Sequence, residues 1–224
     1  MPATTSLSPP QRGRLFVIAA PSGAGKTSLV RALMEREPSL RFSISYTTRQ
    51  QRPTETHGRD YFFVTREEFT AMVERGEFLE HARVFDNQYG TARSQVEAAL
   101  AAGQDLILEI DWQGAQQIRQ ALPECISVFI LPPSRTELER RLRGRGTDAE
   151  DVIQRRLRDA AADMTHWDEF DHVVVNDDFG LALDDLLGVV RGGEAARRSG
   201  RGRPGLAELA AQLTEGGSQE GGRG

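Results

Sequence analysis

The sequence predicts an α/β protein whose core is a parallel β-sheet covered by helices on both faces, and three observations carry that prediction. Phe16–Ala20 is an apolar run that breaks into Pro21-Ser22-Gly23-Ala24-Gly25 and then Lys26-Thr27, the order strand, phosphate loop, first turn of a helix. Further strand-like runs at Asp105–Asp111, Ile126–Leu131 and His172–Asn176 are separated by segments of helical period, an alternation that builds parallel sheets. The run at Asp105–Asp111 ends in acids, Glu109 and Asp111, as a strand beside the first would if its end faced a metal-bound phosphate.

The loop explains itself chemically. A triphosphate needs several backbone N–H donors aimed at one anion, and glycines let the chain curl closely enough to supply them. Lys26 adds a point charge, Thr27 offers a hydroxyl to Mg²⁺, and the following helix presents its positive end. Ala20, Pro21, Ser22, Gly23, Ala24, Gly25, Lys26 and Thr27 are therefore the candidate ATP-binding stretch of a P-loop NTPase fold. Ala20 stands where the usual pattern has its first glycine, which is tolerable if that residue closes the strand with negative φ. Lys26 is the only lysine in the chain. A composition that otherwise uses Arg keeps a compact ammonium here, which a planar guanidinium does not supply.

The remaining elements follow in order. Apolar Leu29, Val30, Leu33 and Met34 mark one helical face, stopped by Pro38. Phe42–Tyr46 alternates like a strand and leads into a polar loop carrying Arg49 and Arg52. A solvated loop and two guanidinium forks converging on a monophosphate both fit that loop. Arg59–Val64 is aromatic and strand-like, and Thr65–Glu68 is a capping box for a helix ending near Gly76. Glu77–Val84 alternates again, placing Glu80 among Phe78, Ala82 and Val84 on one face. An edge-strand charge and a functional carboxylate are both open there. Tyr89-Gly90-Thr91 reads as a turn, and Ser94–Ala102 as a helix ended by Gly103. Gly114–Ala121 is helical, and Pro132-Pro133-Ser134 caps a helix carrying Leu138 and Leu142. The arginine-dense stretch from Arg140 through Arg145 to Arg158 reads as a charged surface helix or as a lid hinged at Gly144 and Gly146. His166 and Trp167 read as packing residues, and Leu181–Arg191 as the last helix of the domain.

Composition bounds the function. At 224 residues the chain holds one sizeable domain with room for a small inserted subdomain. A net charge of −5 gives no global field for nucleic acid. The lone Cys125 can form no internal disulfide and reads as a small buried hydrophobe, and no apolar run approaches a membrane span, so a cytoplasmic location is expected. Residues 1–12 read as a flexible extension. Residues 192–224, rich in Gly, Arg, Glu and Ala, read as a low-complexity tail, mostly disordered, with room for one short helix.

Taken together, these stretches resemble guanylate kinase from about Arg14 to Arg191. The resemblance rests on Pro-Ser-Gly-Ala-Gly-Lys-Thr at 21–27, Ser-Ile-Ser-Tyr-Thr-Thr-Arg-Gln-Gln-Arg at 43–52, Gly-Arg-Asp-Tyr at 58–61 and Glu-Phe-Leu-Glu at 77–80. Tyr-Gly-Thr at 89–91, Arg-Gly-Thr at 145–147 and Val-Asn-Asp-Asp at 175–178 extend it. It implies transfer of the γ-phosphoryl group of ATP to GMP with Mg²⁺. It also implies a core at 13–44 and 94–191, a small mixed GMP-binding subdomain at about 45–93 and an Arg-rich lid at about 141–158. By the same resemblance Ser45, Arg49, Arg52, Tyr61 and Tyr89 hold the GMP phosphate, and Glu80 and Thr91 read guanine. Lys26, Arg49, Arg145 and Arg156 surround the transferring group, and Arg141 and Asn176 lie near adenine. Asp111 is placed with Thr27 in the metal's shell, Glu109 being the alternative, and both acids are also candidate contacts to GMP. A monomer or small homo-oligomer, with ATP and GMP as its partners and neither nucleic acid nor membrane, completes the expectation.

The competing readings are a phosphopeptide-binding module of the same fold and a related sugar-phosphate kinase. The first has no need of Lys26 and Thr27, and the second has no reason to carry Glu80 and Thr91. A GTPase is disfavoured, since its guanine-specifying Asn-Lys-x-Asp motif cannot exist when the only lysine is Lys26.

Overall fold

The computed structural model describes residues 12–84, 86–144 and 149–215. The expected extension at 1–12, apart from Arg12, and the lid residue Arg145 lie outside the described residues. β1 (Leu15–Ala19) is buried along its whole length, because neighbours flank it on both sides and helices cover both faces. The strands β2 (Arg41–Phe42), β7 (Leu106–Ile110), β8 (Ile126–Leu131) and β9 (His172–Val175) complete a five-stranded parallel sheet in the order β2-β7-β1-β8-β9. Its register sets Ile18 opposite Glu109 and Ala19 opposite Ile110.

The two-residue period of the strands divides the core. Phe16, Ile18, Ile107 and Val128 face α1 (Lys26–Arg36) and α7 (Phe179–Arg191). Leu15, Val17, Leu106, Leu108 and Phe129 face the opposite layer of α3 (Arg93–Ala101), α4 (Trp112–Ala121), α5 (Arg135–Arg143) and α6 (Glu150–Met164). A single 3₁₀ turn at Trp167–Glu169 follows α6. Cys125 is buried, as expected, and burial pushes its thiol up to about 11.

A second sheet, in the order β4-β3-β6-β5, is built from β3 (Tyr46–Thr47), β4 (Phe62–Phe63), β5 (Phe78–Val84) and β6 (Asn87–Ala92). α2 (Arg66–Glu74) covers it, opened by the expected capping box: Glu68 N–H donates to Thr65 Oγ1 at 3.1 Å, and Thr65 N–H to Glu68 Oε2 at 2.8 Å.

Three expectations are corrected. Phe42–Tyr46 is not one strand: β2 ends at Phe42 in the large sheet and β3 begins at Tyr46 in the small one. Alternation survives across the crossing, so the sequence carries no mark of the change of partner. Tyr89-Gly90-Thr91 is not a turn but lies within β6, Gly90 pairing with Tyr46 on one side and His81 on the other. A side chain there would meet the Phe78 ring at 2.9 Å and the Phe69 ring at 3.1 Å, so the glycine serves close aromatic approach. The tail is ordered over 192–215. It forms α8 (Glu194–Arg198) and α9 (Leu206–Thr214), buries Leu206 and Leu213 against the α6 side of the core, and its Ser199 carbonyl accepts from Val173 N–H at 2.6 Å. Its sparse leucines at helical spacing suffice because the core supplies the rest of their apolar contact.

Candidate active site

The two sheets flank a cleft of ≈ 640 Å³. On one wall the loop from Ala20 to Gly25 turns through Gly23 at φ 91° and Gly25 at φ 94°, conformations open to glycine at little cost. A side chain on Gly25 would also sit 2.3 Å from the Asn176 amide nitrogen. Lys26 Nζ donates to the Ile110 carbonyl at 2.6 Å, and Thr27 Oγ1 donates to Glu109 Oε1 at 2.5 Å. No acid lies in the first turn of α1, so its positive end is left for an anion.

The acid that hydrogen-bonds Thr27 is thus Glu109, the alternative to Asp111 in the metal pairing expected from the sequence. Glu109 lies within β7, opposite Ile18 of β1, whose side chain packs in the α1 layer. Beyond Ile110 the strand ends, and Asp111 becomes the N-cap of α4, its Oδ1 accepting from Gly114 N–H at 2.8 Å.

The opposite wall carries the acceptor candidates. Ser45, Tyr61, Tyr89 and Glu80 line the cleft. Glu80 is only 3% exposed, and Thr91 Oγ1 donates to its Oε1 at 2.6 Å from directly across the strand pair. Burial pushes the Glu80 carboxyl up to about 7, with the nearby Asp111 charge adding and the Thr91 hydroxyl opposing. Burial also raises Tyr61 to about 12. The Arg49 guanidinium lies over the Tyr61 ring at 5.4 Å and donates to Glu55 Oε1 at 2.6 Å and to the Gln50 carbonyl at 2.8 Å. Glu55 Oε2 accepts from Arg52 N–H at 2.9 Å, while the exposed Arg52 guanidinium stands 3.9 Å from the same carboxylate. Arg49 and Arg52 therefore gather around one acid.

Several expected residues lie behind the cleft. Asn176 Nδ2 donates to the Ala24 carbonyl at 2.7 Å, and Arg141 donates to the Asn176 carbonyl at 2.9 Å and to Glu137 at 2.7 Å. They brace the back of the phosphate loop. From α6 the cleft is lined by Arg155, while Arg156 is not among the lining residues.

Other lining residues escaped sequence reasoning. Trp112 stacks on His166 at 3.6 Å, and its indole N–H donates to Asp163 Oδ1 at 3.0 Å. Burial pushes Asp163 up to about 6, the Asp111 charge adding to the effect. Glu55, three residues after Arg52, had a legible spacing signal; Asp163 had none, because only the fold brings α6 to this cleft. The cleft is cationic at the phosphate loop and acidic at Glu80, Asp111 and Asp163, so it suits a ligand anionic at one end and rich in N–H donors at the other.

The guanylate kinase family profile matches residues 12–192. A guanylate kinase of Chromohalobacter salexigens is 57% identical over 180 residues, covering 80% of this chain and 84% of that protein. The guanylate kinase of Escherichia coli strain K12 is 55% identical over 182 residues, covering 80% and 88%. The crystal structure of guanylate kinase from Anaplasma phagocytophilum superimposes with a TM-score of 0.68 at 33% identity, covering 90% of this chain and 95% of that one.

Proposed function

The chain belongs to the guanylate kinase family, whose members phosphorylate GMP with ATP, and on that premise we propose how its cleft carries the transfer. The chain is an ATP-dependent GMP kinase; its substrates are ATP and GMP, its products ADP and GDP. An oxygen of the GMP phosphate attacks the γ-phosphorus as the bond to ADP breaks. That phosphate is ionised at neutral pH, so no strong general base is required, and positioning with charge neutralisation does the work.

Lys26 leaves the Ile110 carbonyl for the outer phosphates of ATP, while Arg49 and Arg52, with Ser45, Tyr61 and Tyr89, hold the GMP phosphate. Arg141 and Asn176 fix the loop from behind, and by family resemblance they lie near the adenine. Arg145 and Arg156 add lid cations by family resemblance. A divalent metal accompanies ATP, and we assign Mg²⁺. The adjacent oxygens of Thr27 and Glu109 fit a hard cation that takes one or two protein ligands and fills its shell with phosphate oxygens and water. Among the described residues no acids, histidines or cysteines gather in threes as a metal cage. When bound there beside Thr27 and Glu109, the ion would neutralise charge on the transferring group. No helix among the described residues is long and apolar enough to cross a membrane. The unpaired Cys125 supports a reducing, cytoplasmic setting.

The observation that carries base recognition is the buried Glu80 with Thr91. Guanine presents N1–H and an N2 amino group side by side, which one carboxylate accepts together; adenine turns a lone pair toward it and leaves the charge without partners. Asp111, at the same end of the cleft, is the further acceptor contact. A coupled ADP-release assay offering GMP, AMP, CMP and UMP tests this: turnover should be confined to GMP. Equal turnover with AMP would remove Glu80 as reader.

A further inference from the structure

Gly114 occupies the third position of α4, inside a helix and with ordinary negative φ. Nothing in its backbone requires glycine, and alanine there would favour the helix. What it provides is room: a side-chain carbon on Gly114 would lie 2.5 Å from Glu80 Oε2 and 3.1 Å from Glu80 Cδ. The other carboxylate oxygen is fixed by Thr91. Glu80 is thus seated between a hydroxyl on β6 and a bare stretch of α4 backbone.

One turn on, Gln117 presents its carboxamide to β5 as a strand would. Its Oε1 accepts from His81 N–H at 3.1 Å, and its Nε2 donates to the His81 carbonyl at 2.8 Å. β5 is the outer strand of the small sheet, and these two bonds satisfy its backbone at the residue next to Glu80. They also set the distance between the acceptor sheet and α4, whose N-cap directly follows the metal-side strand β7.

We infer that Gly114 and Gln117 of α4 are positioning residues for base discrimination, Gly114 by leaving the seat that Glu80 occupies and Gln117 by holding β5 so that Glu80 stays in it. This rests on Glu80 as the reader of guanine and extends it to two side-chain positions that act through Glu80. A methyl group on Gly114 displaces the Glu80 carboxylate from the plane in which it accepts both N1–H and the N2 amino group. Loss of the Gln117 carboxamide lets β5 drift from α4 with the same result.

Steady-state kinetics with GMP and with inosine monophosphate, which keeps N1–H and lacks the N2 amino group, measures the discrimination directly. For Gly114→Ala and Gln117→Leu the ratio of kcat/KM for GMP to that for inosine monophosphate should fall by about tenfold or more, through KM for the acceptor. The KM for ATP should stay within about twofold, an outcome a merely structural role does not produce. Glu80→Gln is run beside them. If it loses the discrimination while both α4 variants keep the wild-type ratio, the inference is overturned and the reader stands. If Glu80→Gln also keeps the ratio, the base-reading assignment fails and the inference with it. Should Gly114→Ala not fold, Gln117→Leu decides by the same ratio.

Discussion

Glu80 illustrates how function and stability oppose each other at a single residue. Its folded pKa, raised to about 7, lies above the ordinary carboxylate value of 4.5, so the folded protein binds the Glu80 proton more tightly than the unfolded chain. The stability this confers is fully present below pH 4.5 and is lost as pH rises through about 7, where a buried charge must be tolerated. Glu80→Gln should therefore raise the melting temperature at pH 8, by an amount worth on the order of 3 kcal/mol, and leave it nearly unchanged at pH 4. The same substitution should cost about 100-fold or more in kcat/KM for GMP, because the charged acceptor is gone. Thermal scans at the two pH values check the first part, and the coupled assay checks the second. Lys26→Ala should lower kcat by about 10²–10³ with GMP affinity nearly intact, measured by calorimetric titration of GMP; an equal loss of both would mean that Lys26 supports the whole fold. Glu109→Gln should raise the Mg²⁺ concentration for half-maximal rate several-fold, and Asp111→Asn should not. The opposite order in a metal titration would make Asp111 the metal's partner, as expected from the sequence. The sequence placed both acids at the end of one strand, but only the register opposite Ile18 and the start of α4 decide which of them reaches Thr27.

At the scale of elements, the large sheet was legible because strands buried on both faces must be mainly apolar, a pattern that β1, β7, β8 and β9 carry plainly. The small sheet was less so. Its strands β3 and β4 are two residues long, and their hydrogen bonds come from partners far away in sequence. Tyr89-Gly90-Thr91 within β6 reads as a turn because of its glycine, yet Gly90 makes room for the stacked pair Phe69–Phe78, whose centroids are 4.6 Å apart. Gly90→Ala should overpack that site and destabilise the protein by about 1–3 kcal/mol in urea denaturation, with a raised KM for GMP and an unchanged KM for ATP. An unchanged midpoint would show that the rings yield to the methyl group.

At the scale of the molecule, residues 192–215 belong to the packed structure. Removing everything after Arg191 exposes the sites of Leu206 and Leu213, 2% and 1% exposed in the intact chain, and frees Val173 N–H at the sheet edge. The truncated chain should lose about 3–6 kcal/mol in urea denaturation, from roughly 1.5–3 kcal/mol per buried leucine. Coincident unfolding curves for the two chains would mean that the tail does not pack in solution. By itself the sequence determined the α/β class, the phosphate loop with its single lysine, and the candidates on each side of the cleft, because each is written in residues close together along the chain. Only the tertiary structure decided the rest: Glu109 beside Thr27, Arg141 and Asn176 behind the loop, Asp163 and Arg155 from α6 at the cleft, Gly114 beneath Glu80. Those contacts join segments tens of residues apart, and local periodicity fixes which way a side chain faces but not what it meets.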